Sequence, residues 1–303
     1  MVRLVPDHLL YIMSGRLFKQ AEPISSLIAP IIQENIIKEI KDIYPNIECL
    51  PIGSVGKRND NEFNGDIDIA IKCKDISTLT KIVSTVFNYV EDTVLTESLY
   101  IISIKYPYTI NDNDIKYVQV DFMNIWDIEY TKFRYYCPDY RLNESKYKVG
   151  QKIMFANMIL NHTKEKYDGL EKNCLAKFDF RPTALFRYYM NIKDNILHEG
   201  FITFDVNTIV NMCFHDGNKS HFNSIETLWE AIHSEVYKYP EEVKDLEFNF
   251  FINCWKKGWT NIIPEDFKLK YWTNEQIWNN IHKQSNINKI NNVICNLSDM
   301  ENK

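Results

Sequence analysis

The sequence predicts an α+β protein, with strands and helices interleaved over residues 1–142 and helices dominating residues 143–303. The expectation rests on three patterns. Apolar residues recur three and four apart in two early segments, which is helical spacing. Between and after these segments, short runs alternate apolar and polar side chains with the period of a strand. From about residue 143 the alternation gives way to mostly helical spacing.

Taken in order, Ile24, Leu27, Ile28, Ile31, Ile32, Ile36 and Ile40 share a helical face, and Pro45 closes the segment. That predicts an amphipathic helix from Ile24 to near Ile43. Residues 47–52 read as a short strand, followed by Gly53, Ser54 and a polar loop. In residues 66–72, DIDIAIK, the isoleucines Ile67, Ile69 and Ile71 alternate with Asp66, Asp68 and Ala70, so both acids lie on one face of a half-buried strand. Ile76, Leu79, Ile82, Val83, Val86 and Phe87 predict a second amphipathic helix, and residues 99–104 a further strand. In residues 116–124, KYVQVDFMN, Val118, Val120 and Phe122 take one face while Gln119 and Asp121 take the other. Helical spacing then recurs around residues 153–160, 228–236, 243–255 and 277–294. No Gly/Ser linker or internal repeat is evident, and the Tyr-rich, basic stretch 130–147 is the expected boundary. The Asn-rich residues 285–303 are expected to fray beyond Leu297.

Composition bounds the function. A chain of 303 residues that is 45% hydrophobic can build two packed domains. Its net charge of −6 argues against a generally basic surface that coats nucleic acid, so any such contact must be a local patch. The seven cysteines, Cys49, Cys73, Cys137, Cys174, Cys213, Cys254 and Cys295, form no CxxC pair and read as reduced thiols. No apolar run approaches the roughly 20 residues of a membrane span, and Pro6, Asp7 and His8 break the pattern of a secretory signal. A cytoplasmic protein is expected, with no membrane partner.

The chemistry concentrates on the acids. Residues two apart on a strand are about 6.6 Å apart, so Asp66 and Asp68 repel by about 2 kcal/mol at an effective dielectric of 20. A cation should offset this. Alternating acids more often simply face water; what shifts the balance is the segment before them. A strand leads into the Gly53–Ser54 turn, then come Lys57 and Arg58, and Asp66 follows Ser54 by twelve residues.

The run GSVGKRNDNEFNGDIDIAI resembles the signature of the DNA polymerase beta-like nucleotidyltransferase superfamily, and the resemblance covers residues 47–124. It implies a mixed sheet with flanking helices as a catalytic domain over residues 1–142, followed by a mainly helical C-terminal domain. It implies that Gly53 and Ser54 bind a nucleoside triphosphate such as ATP, that Asp66 and Asp68 ligate two Mg2+ or Mn2+ ions, and that a third carboxylate follows on a later strand. Asp121 matches that third position by facing and by its distance of 53 residues from Asp68. Asp112 and Asp114 sit in a turn-like stretch that explains them better. Two ions on such a cluster serve in-line phosphoryl transfer, with Asp121 placed to orient or deprotonate the acceptor hydroxyl.

Lys57, Arg58, Lys148 and Lys152 are candidate contacts for the triphosphate, the last two with Lys146 at the start of a helix; solvated loop and helix-flanking charge is an equally good reading. Arg181 and Arg187, among Phe180, Phe186, Tyr188 and Tyr189, form an aromatic and basic mixture suited to stacking a base, although core packing explains most of the rings. Cys213, His215 and His221 lack the fourth partner and paired spacing of a zinc site. FRYYCPDY and SKYKVGQKIMFANMI also resemble uncharacterised nucleotidyltransferases carried by bacteriophages, which implies the cytoplasm of a host cell. No helix-hairpin-helix element is evident, which disfavours a processive polymerase. The first expectation for the acceptor is an RNA (tRNA) 3′ end. A protein side chain, a small molecule such as an aminoglycoside, a growth-arresting toxin-like transfer, and a catalytically inactive nucleotide- or protein-binding module are the alternatives.

Overall fold

The two alternating runs around Asp68 and Asp121 become neighbouring strands at the heart of a six-stranded sheet. The structure is a computed structural model, and it describes residues 2–4, 17–96, 100–110, 114–137, 139–141, 149–162, 175–190, 196–243, 245–259 and 262–272. The chain divides into two compact units, Met1–Leu228 and Trp229–Lys303. The expected division after residue 142 falls on residues 142–148, outside the described ones.

The sheet of the first unit has strands β1 (Val2–Leu4), β3 (Cys49–Ile52), β5 (Ile67–Lys72), β6 (Thr93–Thr96), β7 (Ile101–Thr109) and β8 (Ile115–Ile125). Their spatial order is β1-β6-β7-β8-β5-β3. β5 runs parallel to β8 and β1 to β6, while the other pairs are antiparallel, so the sheet is mixed. Helices α1 (Ala29–Ile43) and α2 (Ile76–Val86) contribute Ile36, Ile40, Leu79 and Val83 to one core. Ile67, Ile69 and Ile71 of β5 and Val118, Val120 and Phe122 of β8 complete it. Period-two alternation therefore sends every intervening side chain of these strands, including Asp68 and Asp121, to the opposite face.

Local chemistry sets the helix ends. α2 starts at Asp75, whose carboxylate accepts from the Thr78 amide at 2.7 Å. α1 begins later than its apolar spacing predicts. Ile24 and Ser25 form β2, a two-residue strand paired with β4 (Phe63–Asn64), and Pro30 then fits the first helical turn, where its missing N–H goes unused.

Beyond β8 come α3 (Ile128–Arg134) and α4 (Val149–His162), then a three-stranded antiparallel sheet of β9 (Leu175–Phe180), β10 (Leu185–Met190) and β11 (Ile196–Thr203). Helical dominance after residue 143 did not anticipate this sheet. Its first hairpin turns through residues 181–184, where the Arg181 amide donates to the Ala184 carbonyl at 3.0 Å. α5 (Val206–Cys213), a 3-10 turn (Lys219–Phe222) and α6 (Ile225–Lys238) follow, then α7 (Leu246–Lys256) and α8 (Glu265–Trp272). In the second unit Trp229 packs edge-on to Phe250 at 4.8 Å and against Phe267 at 4.7 Å, while its indole N–H donates to the Ile262 carbonyl. The helix expected over residues 277–294 and the tail lie outside the described residues. Among the described residues no helix is long and apolar enough to cross a membrane.

Candidate metal centre

Parallel pairing sets Asp68 of β5 directly opposite Asp121 of β8. Asp66 lies immediately before β5, two residues from Asp68 and on the same face. One carboxylate oxygen from each of Asp66, Asp68 and Asp121 lies within 4.8 Å of the others, and all three residues are half-buried. Among the described residues no other set of three or more acids, histidines or cysteines comes together in this way. Cys213, His215 and His221 therefore do not form a ligand set. The donors of the triad are all oxygen, which suits a hard cation such as Mg2+ or Mn2+ over zinc.

The loop after β3 is built against these acids. Gly53 has φ +77, and a Cβ there would stand 2.1 Å from Oδ2 of Asp68. Glycine is thus required twice, by the left-handed backbone and by the carboxylate lying on it. The space beside Gly53 is thus occupied by the Asp68 carboxylate. The Ser54 hydroxyl donates to Asn64 Oδ1 at 3.1 Å and accepts from Arg58 Nε at 3.4 Å. Asn64 in turn donates to Ser26 at 3.3 Å, tying the loop to the β2–β4 pair.

Electrostatics reflect three negative groups in a confined place. Burial, and then Asp66 and Asp121, hold the Asp68 carboxyl well above the ordinary range. Burial and Asp66 push Asp121 up to about 7, against hydrogen bonds from Ser103 and Gln119 that favour its charged form. The Gln119 amide nitrogen donates to both Asp121 oxygens, at 3.0 and 3.2 Å. Its own oxygen accepts from the Leu17 amide at 2.9 Å, which fixes the amide with its NH2 towards the acid. Ser103 faces Asp121 across the β7–β8 register, and Gln33 of α1 donates to the Asp68 carbonyl at 2.9 Å. The buried Tyr135 phenol, pushed up to about 12 chiefly by burial, also feels Asp68 and Asp121. Gln119 was legible as the same-face neighbour of Asp121. Gln33 and Ser103 meet the acids, and Leu17 meets Gln119, only through long-range packing, and none of the three carried a sequence signal.

Two of the expected cations converge. Lys57 donates to the Cys137 carbonyl at 2.8 Å and lies 5.7 Å from the centre of the Tyr136 ring. Lys152 lies 5.2 Å from the same ring and 4.4 Å from that of Phe133, and its ammonium donates to the Phe133 carbonyl. It is 3% exposed, and burial together with Lys57 lowers its pKa to about 7. Tyr136 and Lys152 also line a cavity of about 610 Å3, with Phe133, Phe204, Lys132 and Lys219. Arg58 lies 5.1 Å from the Tyr140 ring. Lys146 and Lys148 lie outside the described residues. Arg181 lies 4.7 Å from the Phe186 ring and 5.8 Å from that of Tyr100, with Asp179 at 3.5 Å, and Phe180 and Phe186 are buried in the core. Core packing is thus the role of both phenylalanines.

No family model matches this chain, and no curated protein matches it.

Proposed function

We propose that the protein is a metal-dependent nucleotidyltransferase of the DNA polymerase beta-like kind, moving a nucleoside monophosphate from a triphosphate to an acceptor hydroxyl with release of pyrophosphate. The observation that carries this reading is the meeting of Asp66, Asp68 and Asp121 within 4.8 Å, against a loop whose Gly53 has no room for a side chain. The mixed sheet, with both strand acids on the face opposite α1 and α2, supports the same reading.

The roles follow from position. Asp66, Asp68 and Asp121 would hold the divalent ions, which when bound lower the pKa of the attacking hydroxyl and neutralise charge on the departing pyrophosphate. Asp121 orients that hydroxyl, and Gln119 and Ser103 in turn fix Asp121. Attack forms a bond from the acceptor oxygen to the α-phosphorus and breaks the bond to the bridging oxygen; the hydroxyl proton passes to Asp121 or to water. The Gly53–Arg58 loop leads from the acids to the paired cations Lys57 and Lys152 around Tyr136, a suitable place for the outer phosphates. An RNA 3′ end is the acceptor we favour.

The test is transfer of label from an α-labelled triphosphate, with Mg2+ or Mn2+, to a panel of RNA, protein and small-molecule acceptors. The wild type should label one class and Asp68→Asn none. Equal and negligible labelling by both proteins on every class would refute the reading.

A further inference from the structure

Three large aromatic side chains of the first unit stand in the open and touch in series. Trp126, Phe201 and Phe204 are 37%, 51% and 42% exposed. Ring centres lie 6.4 Å apart between Trp126 and Phe201 and 5.9 Å apart between Phe201 and Phe204. The buried Phe186 supports the first two from beneath, at 6.3 and 6.1 Å. Leaving contiguous rings in water is unfavourable, and such a patch marks a contact surface.

The position of the series says what it contacts. Trp126 directly follows β8, the strand that carries Asp121, five residues further on; at about 3.3 Å per residue the separation along the strand is at most about 17 Å. Phe204, at the other end, lines the 610 Å3 cavity together with Lys132 and Lys219; of the acids on the same lining, Asp127 and Asp205 accept from the first-turn amides of α3 and α5, and Glu129 pairs with Lys132. Lys132 is 56% exposed and paired to the exposed Glu129, a bond weak enough to give way to a phosphate. Flat rings alongside cations fit stacked bases joined by phosphates.

We propose that the Trp126–Phe201–Phe204 series, with Lys132 and Lys219, is a stacking platform for a single-stranded nucleic-acid acceptor whose 3′ end reaches the aspartate triad. The proposal names the acceptor of the reaction above and rests on that reading. At about 3.4 Å per stacked nucleotide, the platform engages a strand about five nucleotides from its reacting end.

The experiment is fluorescence anisotropy of the full chain with a 5′-labelled single-stranded RNA decamer, without triphosphate, beside calorimetry of triphosphate with Mg2+. The decamer should bind with a Kd of about 1–100 µM at physiological salt, and a trimer far more weakly. Phe201→Ala and Phe204→Ala, both at exposed positions, should each weaken binding by about 5-fold or more, while Phe201→Tyr stays near wild type. Lys219→Ala should reduce the slope of log K against log salt by about 0.7. Asp68→Asn should abolish the metal-dependent triphosphate binding and leave decamer binding intact, so the two readings fail separately. Undiminished decamer binding in the Phe201→Ala/Phe204→Ala double variant overturns the proposal. So does full binding by Phe201→Leu, which would show that stacking on the ring is not its basis. Decamer binding on the rings without label transfer to it, when another acceptor is labelled, overturns it as well.

Discussion

Replacing Asp121 with Asn should make the metal-free protein more stable while removing its response to Mg2+. The substitution keeps the shape and one of the two contacts from Gln119, and it deletes one charge from a trio whose oxygens lie within 4.8 Å. At that distance and an effective dielectric of 20, one pair repels by about 3 kcal/mol. An independent route gives a similar figure: raising a carboxyl from 3.8 to about 7 costs about 4 kcal/mol once it is fully ionised, at about 1.4 kcal/mol per tenfold change in proton affinity. Ser103 and Gln119 favour the ion and are lost as charge-assisted partners, so the expected net gain is about 2–4 kcal/mol, or about 5–10 °C in the unfolding midpoint. Because the folded pKa lies above the unfolded one, the wild type carries no penalty below about pH 4 and the full penalty above about pH 7. The two proteins should therefore melt together at pH 4 and diverge towards pH 8. Differential scanning fluorimetry in EDTA reads this directly. Adding Mg2+ at 100 times its Kd should then raise the wild type by about 2.7 kcal/mol and leave Asp121→Asn unmoved. A variant less stable than the wild type at pH 8, or a difference constant from pH 4 to 8, would refute the charge argument.

Gly53→Ala should be destabilised by more than about 1 kcal/mol, from its positive φ alone, and should lose Mg2+ affinity in calorimetry because the methyl displaces the Asp68 carboxylate. Lys152→Met removes a buried ammonium whose pKa is depressed to about 7, so at pH 6 it should be more stable than wild type by about 2–4 kcal/mol. That advantage should shrink as the pH rises from 7 towards 10.5, where the wild-type lysine is already neutral when folded, and KM for the triphosphate should rise over a smaller change in kcat. Trp229→Ala opens a cavity among Phe250, Phe267 and Ile262, and urea unfolding of the second unit should show a loss of about 3–5 kcal/mol.

The strands that carry the acids were legible because each buries one face completely, which forces strict alternation in DIDIAIK and VQVDFMN. Where burial is less one-sided, the pattern misled. Ile24 fits the helical spacing of α1 but is taken by pairing with Asn64, and Leu27 and Ile31, on the same predicted face, are each 58% exposed. The β9–β10 hairpin was hidden because its aromatic residues are joined by a turn at Pro182 and mixed with charge, which reads equally well as helix flank. Side chains that meet through packing alone were beyond reach. Lys57 and Lys152 are far apart in sequence, and nothing local to either announces that both approach Tyr136.

Under the proposed function, the treatment of Lys105 is what a cation site would require of its neighbours. It lies on β7 opposite Gln119, two residues from Ser103 and so on the acid face, and it is buried. Directed at Asp121, it would neutralise the cluster with a group the protein already contains. Instead its ammonium is held by Asp92 at 2.7 Å and by Gln20 at 2.9 Å, over the ring of Tyr117. The place beside Asp121 goes to Gln119, a neutral donor locked in orientation by the Leu17 amide. Relief of like-charge strain alone would favour the lysine, since a charge-assisted bond is roughly twice as strong as one from an amide. An arrangement that ties this cation elsewhere keeps the negative potential of the triad available, which is what a site for an external divalent ion requires.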